Sequence, residues 1–510
     1  MKIKKNLLIL FFSLGVIIRV FYFYYYKDTP FFNPALMDKH DQKTFHILAK
    51  QIQQHPWYVD GKVFYMAPFY SYFLSGLYSI SREKIWVVYI FQIVIDIFLC
   101  YILYILAKEI INETAGIISA FFGCFYRTFI VYSISILSDS IILFLYIFFI
   151  TSLYFSLKKS NIVRWIISGF LLGLSTLSKP TIAAYLPFLF LGLYFYPNKS
   201  MLPLKLKKSF QVIIVFGILI GISGLTILPV TIRNYWVGRT FVPICSNGFV
   251  NWKIGNSSDS IGLFYYPKGY LLSPFTLSFW KLQFKKLCIF FTNYEWPQNM
   301  NVYFMEKIIP VLKFAFIHFG FVSATGIIGL FLLFKNWRKN FLFITFTITN
   351  ILWVVFFFIV DRYRLPAIGC FIISSSYFLI WCLEKLKQKS IFKILFPCFF
   401  VCIFYYLFNV PPTPLIPEMS YKIFYYLSEK NIMYEIEEGK FLSAFKKAKL
   451  LVKVMPEKPQ AYYFLGLTYI KVGKIKEAKI CFEKALEINP DFTPARQFLK
   501  TIEERENLIR

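Results

Sequence analysis

Runs of about 18 or more residues with few charges recur along this chain, and no other feature limits its fold so tightly. A backbone inside a bilayer finds no water, so a crossing segment must satisfy its own N–H and C=O groups, as a helix does. The expected class is therefore all-α, a polytopic membrane protein of about eleven transmembrane helices. The spans are expected near 6–25, 84–107, 115–135, 138–157, 164–178, 180–197, 209–230, 308–334, 340–360, 365–384 and 392–410. Only 16% of the residues are charged, against about a quarter in soluble domains. The first run follows "MKIKK" in the manner of a signal sequence. It is long, aromatic and without a small-residue cleavage site, so it reads as a retained helix.

Orientation follows from Lys and Arg in the short connections. "MKIKK", "KKSNIVR" (158–164), "NKSMLPLKLKK" (198–208), "KNWRKN" (335–340) and "EKLKQK" (384–389) all fall on one side of an eleven-span chain, the expected cytoplasmic side. The other side then receives the loops 26–83 and 231–307, the turns "LSDS" (137–140), "SKPT" (178–181) and "DRYRLP" (361–366), and the carboxyl-terminal tail. A net charge of +29 fits this anchoring and attraction to anionic lipid headgroups, so no nucleic-acid partner is expected. The nine cysteines lack CxxC or CxxH spacing, and no disulfide or zinc framework is visible.

Residues 1–410 are expected to form the membrane domain, 411–424 a Pro-rich linker, and 425–510 a helical repeat domain. In "PQAYYFLGLTYIKVGKIKEAKICFEKALEINP", Tyr462, Leu465, Gly466, Tyr469, Ala478, Phe482, Ala485 and Pro490 follow the tetratricopeptide pattern. Gly466 and Ala478 would let two helices approach closely. Gly439, Ala444 and Pro456 repeat the pattern loosely one period upstream, and the segment after Pro490 reads as a capping helix. Repeats of this kind bury their faces by stacking, so the tail is expected to lean on the membrane domain. A protein or peptide partner is expected on these repeats, with a ligand-free scaffold as the alternative.

The acids Asp38 and Asp41 lie where the chain leaves its first apolar run. They suit either N-capping of a helix over 42–54 or general-base chemistry in a carboxylate held against apolar protein. Asp41, Phe45 and Ala49 share one helix face. Asp96 lies inside a span and is a functional candidate, with neighbouring tyrosines as the alternative that would satisfy it. No metal ligands are assigned. A divalent metal is left open, with His40 beside Asp38 or Asp41 as the grouping to consider.

These segments, in order, resemble the GT-C glycosyltransferases, and in particular the protein O-mannosyltransferase and aminoarabinose lipid A transferase superfamily. The resemblance rests on the acid-Phe45-Ala49 helix with "FYMAPFYSYFLSGLY" (64–78), and on "FYRTFIVYSISILSDS" with Asp139 where Glu is commoner. It continues through "ISGFLLGLSTLSKPT" (167–181), the segment 228–264 with Arg233, Asn234, Asn247, Gly248, Asn251, Gly255 and Asn256, and "DRYRLP". It covers about residues 1–385. Asp139 for Glu shortens the side chain by one methylene, and Phe45 for Tyr removes a hydroxyl.

The resemblance implies a polyprenyl-phosphate-linked sugar as donor, transferred to an acceptor hydroxyl; the Lys/Arg placement puts the reaction at the extracytoplasmic face, and the excess of lysine and isoleucine points to a bacterial cell membrane. Asp41 is the expected base, with Asp38 and Asp139 as further catalytic acids. Arg362 and Arg364 are the expected ligands of the departing phosphate, because guanidinium forks match its oxygens, with Lys179 and Arg233 next in rank. Asn247, Asn251 and Asn256 would belong to a substrate-binding loop. Each has a plainer role available: helix-end anchoring for the arginines and Lys179, capping for Asp139, turn formation for the asparagines. The competing functions are a transporter or flippase of lipid-linked saccharide and a non-catalytic membrane assembly scaffold. Against the transporter, the charges gather on one face and no repeat of hydropathy is visible.

Overall fold

The computed structural model describes residues 2–509 apart from Lys39, Asp60, Ser160, Asn198, Lys199, Lys205 and 410–414. The described residues are helical, with isolated β-bridges and no named strand. They form two compact units. The first comprises 1–19, 44–302 and 311–412, and the second 20–43, 303–310 and 413–510.

Six stretches are long and apolar enough to cross a membrane: Ile3–Tyr26, Ile85–Ile110, Asp139–Lys158, Lys208–Gly238, Phe319–Phe356 and Asp361–Lys387. Phe319–Phe356 is itself two helices, Phe319–Leu333 and Trp337–Phe356, separated by the 3-10 turn Phe334–Asn336. Glu113–Phe125, Ile162–Ser178, Pro180–Phe195 and Ile391–Leu407 are shorter apolar helices.

Two expected spans are corrected by one cause. The run 115–135 breaks at Tyr126 into Glu113–Phe125 and Arg127–Ser133, and the run 308–334 becomes a long helix only at Phe319. Tyr126 is extended and pairs with Ile317 in a parallel bridge. Arg127 N donates to the Ile317 carbonyl and Ile317 N to the Phe125 carbonyl, each at 3.3 Å. Helical periodicity does not report a two-residue bridge between distant segments.

Helix contacts in the first unit run along small and hydroxylated residues. A Cβ on Gly329 would lie 1.9 Å from the Ser374 carbonyl oxygen, so only glycine allows helices Phe319–Leu333 and Asp361–Lys387 to meet there. Thr325 Oγ1 donates to Ser375 Oγ at 2.9 Å along the same seam. Asp96 is paired with an arginine and not with tyrosines. Arg19 Nε lies 2.6 Å from its carboxylate, both are buried, and Arg19 also donates to the Gly15 and Cys124 carbonyls at 3.0 Å. A buried ion pair persists only when its remaining donors are used, as they are here.

In the second unit the tail stacks as helix pairs: Leu415–Glu437 with Phe441–Val454, Pro459–Lys471 with Ile475–Ile488, then the single helix Thr493–Ile509. The first of these begins inside the expected linker 411–424, while 410–414 lie outside the described residues. Gly466 faces the Phe482 ring, 2.6 Å from where a Cβ would sit. Phe482 is fully buried and stacks on Phe498 at 5.4 Å. Ala478, Ala485, Ala495, Leu499 and Ile502 complete this core. Helix Leu415–Glu437 also packs on the segments 20–43 and 303–310, through Phe424 against Phe31 and Phe304 at 6.2 and 5.3 Å.

Candidate functional site

Three short polar segments, far apart in sequence, meet around a cavity of about 350 Å³ in the first unit. Ser138 and Asp139 come from the start of helix Asp139–Lys158, Ser178 to Thr181 from the turn after Ile162–Ser178, and Arg362 and Tyr363 from the start of Asp361–Lys387. Cys245, Asn247, Gly248 and Asn251 form another wall, and Phe45, Met66, Ala67, Ile142, Trp353, Val354 and Phe357 supply apolar surface. Pro180 is one reason the turn lies here. It has no N–H to give to a continuing helix and begins a 3-10 segment instead.

The charges are one carboxylate and two cations. Arg362 Nη1 lies 3.4 Å from Asp139 Oδ2, both groups nearly buried. Arg362 Nε donates to Gln298 Oε1 at 3.0 Å. Lys179 Nζ sits 3.7 Å from the centroid of the Tyr363 ring, and the Arg362 guanidinium carbon is 5.1 Å from the same centroid. Tyr363 thus carries a cation–π partner at each contact. Burial draws the Lys179 ammonium down to about 8, with Asp139 opposing that shift and Arg362 adding to it. The buried indole N–H of Trp353 has no acceptor among the described residues, which leaves a donor at the apolar wall for an oxygen of a bound molecule.

The wall carrying Asn247 and Asn251 is held by Lys286, a fully buried residue of helix Leu277–Phe291. Its Nζ donates to the carbonyls of Gly255 and Phe357 at 3.1 and 2.9 Å and to Asn256 Oδ1 at 3.0 Å. Burial draws its pKa down to about 7. Asn256 Nδ2 donates to the Phe356 carbonyl at 2.8 Å. A Cβ on Gly255 would lie 1.9 Å from the Phe357 carbonyl oxygen, so this position requires glycine. Helix Gly248–Asn256 is thereby fastened to the end of Trp337–Phe356, and two cavity walls are set together.

Sequence neighbours have unlike roles. Arg364 is not among the cavity-lining residues, in contrast to Arg362. Its Nη1 donates to the Phe290 and Thr292 carbonyls at 3.0 Å, and its Nη2 to the Tyr294 carbonyl and Glu295 Oε2 at 2.7 and 2.8 Å. Glu295 Oε1 accepts in turn from Tyr126 and Thr128 at 2.8 and 2.9 Å. Arg233 is likewise buried and gives its donors to the carbonyls of Trp57, Val59 and Lys62. Asn256 belongs to the Lys286 network. These three expected binding residues serve as fasteners. Asn247 and Asn251 sit at a helix where turns were the plainer expectation: Asn247 directly precedes Gly248–Asn256, without a side-chain capping bond, and Asn251 lies within it.

Asp38 and Asp41 fall in the second unit. Asp38 Oδ1 accepts from Lys43 Nζ at 2.5 Å, and Oδ2 from Lys430 Nζ and from the Tyr426 hydroxyl, the latter at 3.1 Å. Lys43 first, then Lys430, hold the carboxyl well below the usual range, which makes Asp38 a poor proton acceptor. Asp41 is the first residue of helix Asp41–Gln54 and is not among the cavity-lining residues. Lys286, Glu295, Trp353 and Gln298 were not singled out from the sequence. A lone lysine or glutamate between aromatic residues of a long loop carries no spacing signal. Among the described residues no group of three or more His, Cys, Asp or Glu is arranged to hold a metal ion.

Residues 65–227 match the family described as dolichyl-phosphate-mannose-protein mannosyltransferase, and residues 459–492 match a tetratricopeptide repeat. The resemblance read in the sequence is borne out by these two matches. No curated protein matches the chain. Among solved structures, the chain is similar to the Archaeoglobus fulgidus oligosaccharyltransferase in complex with Zn and sulfate, at 14% identity and TM-score 0.48 over 82% of this chain and 57% of that one. It is also similar to the oligosaccharyltransferase AglB of the same organism with an inhibitory peptide and a dolichol-phosphate, at 12% identity and TM-score 0.44 over 81% and 56%. The chain thus spans a little more than half the length of these proteins.

Proposed function

From the premise that residues 65–227 carry the pattern of the dolichyl-phosphate-mannose-protein mannosyltransferase family, we propose that this chain is a membrane glycosyltransferase. It takes a sugar from a polyprenyl-phosphate donor and passes it to an acceptor hydroxyl at the extracytoplasmic face. The basic connections between apolar segments support that orientation. The helices Phe319–Leu333 and Trp337–Phe356, counted separately and taken with the shorter apolar helices, support the eleven-span arrangement.

The observation that carries the reading is the pairing of Arg362 and Lys179 around Tyr363 at a largely apolar cavity, with the Asp139 carboxylate beside Arg362. A departing phosphate gains negative charge in the transition state, and fixed cations away from bulk water stabilise it there more than in the ground state. Asp139 orients Arg362 at the cavity wall, where its guanidinium faces the space a donor phosphate would occupy. Trp353, Asn247 and Asn251 supply donors and acceptors for the sugar.

The reaction then runs in one displacement. The acceptor oxygen attacks the anomeric carbon while the bond from that carbon to the phosphate oxygen breaks. The bonding pair leaves with the polyprenyl phosphate, and the hydroxyl proton passes to the carboxylate of Asp41. A single displacement inverts the anomeric centre, as it does in inverting hydrolases. Arg364 and Arg233 have no part in binding in this reading, because their donors are used on carbonyls and on Glu295.

The test is transfer of labelled sugar from a polyprenyl-phosphate donor by purified protein in detergent or nanodiscs, with glycan analysis of a strain lacking the chain to name sugar and acceptor. Loss of donor binding in Arg362→Ala is expected, as is loss of transfer with retained binding in Asp41→Asn. Unchanged donor binding in both Arg362→Ala and Lys179→Ala would refute the phosphate site.

A further inference from the structure

The second unit contains a charge lock that the proposed reaction does not use. Asp38 bridges two lysines, Lys43 from its own segment and Lys430 from helix Leu415–Glu437, and the Tyr426 hydroxyl joins the same carboxylate. At the next residue of that helix after Lys430, Asn431 Nδ2 donates to the Pro30 carbonyl at 3.2 Å, and Asn431 is buried. Lys446, on the following helix, lies 3.4 Å from Asp28. Phe424, fully buried, packs between Phe31 and Phe304. The segment contributes its own braces: Tyr26 donates to the Phe31 carbonyl at 2.9 Å and Thr29 to the Tyr26 carbonyl at 2.7 Å.

Charged, polar and apolar contacts therefore all join the start of the tail to residues 28–38, directly before the helix that opens with Asp41. The segment's own backbone hydrogen bonds are short-range turns, such as Phe32 N to the Thr29 carbonyl and Met37 N to the Pro34 carbonyl, and turns of this kind open locally unless other elements hold them. A carboxylate used as a base must sit within hydrogen-bond reach of the proton it takes.

We propose that helix Leu415–Glu437 is a positioning element for the acidic segment, acting through Lys430 on Asp38 and through Asn431 on the Pro30 carbonyl to set the start of the helix that bears Asp41. The consequence for catalysis rests on the reading of Asp41 as base. The repeat tail is then part of the transferase machinery, and Lys430 and Asp38 are positioning residues that touch no substrate. A partner bound on the repeats would act on turnover by tightening or loosening this lock.

The experiment uses the full-length protein. Lys430→Ala, Lys430→Arg, Asn431→Ala, Asp38→Asn and the double variant Lys430→Ala/Asp38→Asn are compared with Lys422→Ala. Lys422 lies on the same helix, is 75% exposed and pairs with Glu418, so Lys422→Ala is expected to leave activity unchanged. Hydrogen exchange of peptides spanning 28–43 reports the lock without reference to activity. Faster exchange in Lys430→Ala and Asn431→Ala is expected, with kcat lowered about tenfold at constant donor KM. Lys430→Arg restores both, and the double variant is no worse than the worse single one. Unchanged exchange overturns the lock. Faster exchange with unchanged kcat overturns the positioning role. Full activity of Asp41→Asn refutes the base assignment while leaving the exchange result intact, so the two failures are told apart.

Discussion

The two units carry the same small set of charges, one carboxylate with two cations, in opposite states of use. In the second unit Asp38 is shared between Lys43 and Lys430, and the Tyr426 hydroxyl takes part of its remaining capacity. In the first, Asp139 holds one edge of Arg362, while Lys179 lies against a ring and opens to a cavity. Charge composition does not separate a lock from a binding site. What separates them is whether the charged groups border a cavity. Arg362 and Arg364 repeat the lesson within two residues: one lines the cavity, and the other spends its fork on three carbonyls and Glu295.

The largest effects break that contrast most directly. Arg362→Ala lowers transfer by about 10²–10³-fold, on the scale of losing one donor to transition-state charge, with a smaller loss of stability than Arg364→Ala, because Lys179 remains as a cation acting on Asp139. Arg364→Ala strands the buried Glu295 and costs about 3–5 kcal/mol of stability, read as lost monodisperse protein on size exclusion and a lower unfolding temperature. If Arg364→Ala folds normally and Arg362→Ala does not, the two assignments are exchanged.

Lys286→Met comes next. It leaves the Gly255 and Phe357 carbonyls without their donor and costs about 1–3 kcal/mol, with donor KM rising as the Asn247–Asn251 wall loosens. Thermal unfolding in detergent and donor titration measure the two effects separately.

Lys179 sharpens the comparison through pH. Its ammonium, drawn down to about 8 by burial, is charged below that pH and neutral above it. Donor affinity therefore falls as pH rises through about 8, and Lys179→Arg, which stays charged, removes that limb. A donor KM flat between pH 7 and about 9.5 in the parent protein argues against a Lys179–phosphate contact.

The smallest effect belongs to the partly exposed lock. Asp38→Asn changes global stability by about 0–1 kcal/mol, since solvent screens such pairs. A loss as large as that of Arg364→Ala would mean that the lock bears on the fold itself.

Much of the architecture was legible in the residues. Apolar runs gave the helices, because a segment without charges cannot stay in water and a backbone without water must coil on itself. Gly466, Ala478 and Phe482 announced a helix pair, because close approach needs small residues facing a large one. The turns "LSDS", "SKPT" and "DRYRLP", expected on one face, do meet around a cavity. The roles of Arg233, Arg364 and Asn256 were not legible, since the carbonyls that occupy them belong to segments as far as 176 residues away. Lys286 and Glu295 carry no local signature at all. The break at Tyr126 depends on Ile317, a partner that no periodicity names.

The sequence by itself determined the class of molecule: helices for a bilayer, a repeat tail, and a set of polar residues drawn to the ends of apolar segments. Only the tertiary structure decided which of those residues face a cavity and which brace the chain. Burial and polarity act along the chain and can be read from composition, whereas a donor's fate depends on which distant oxygen comes within about 3 Å of it.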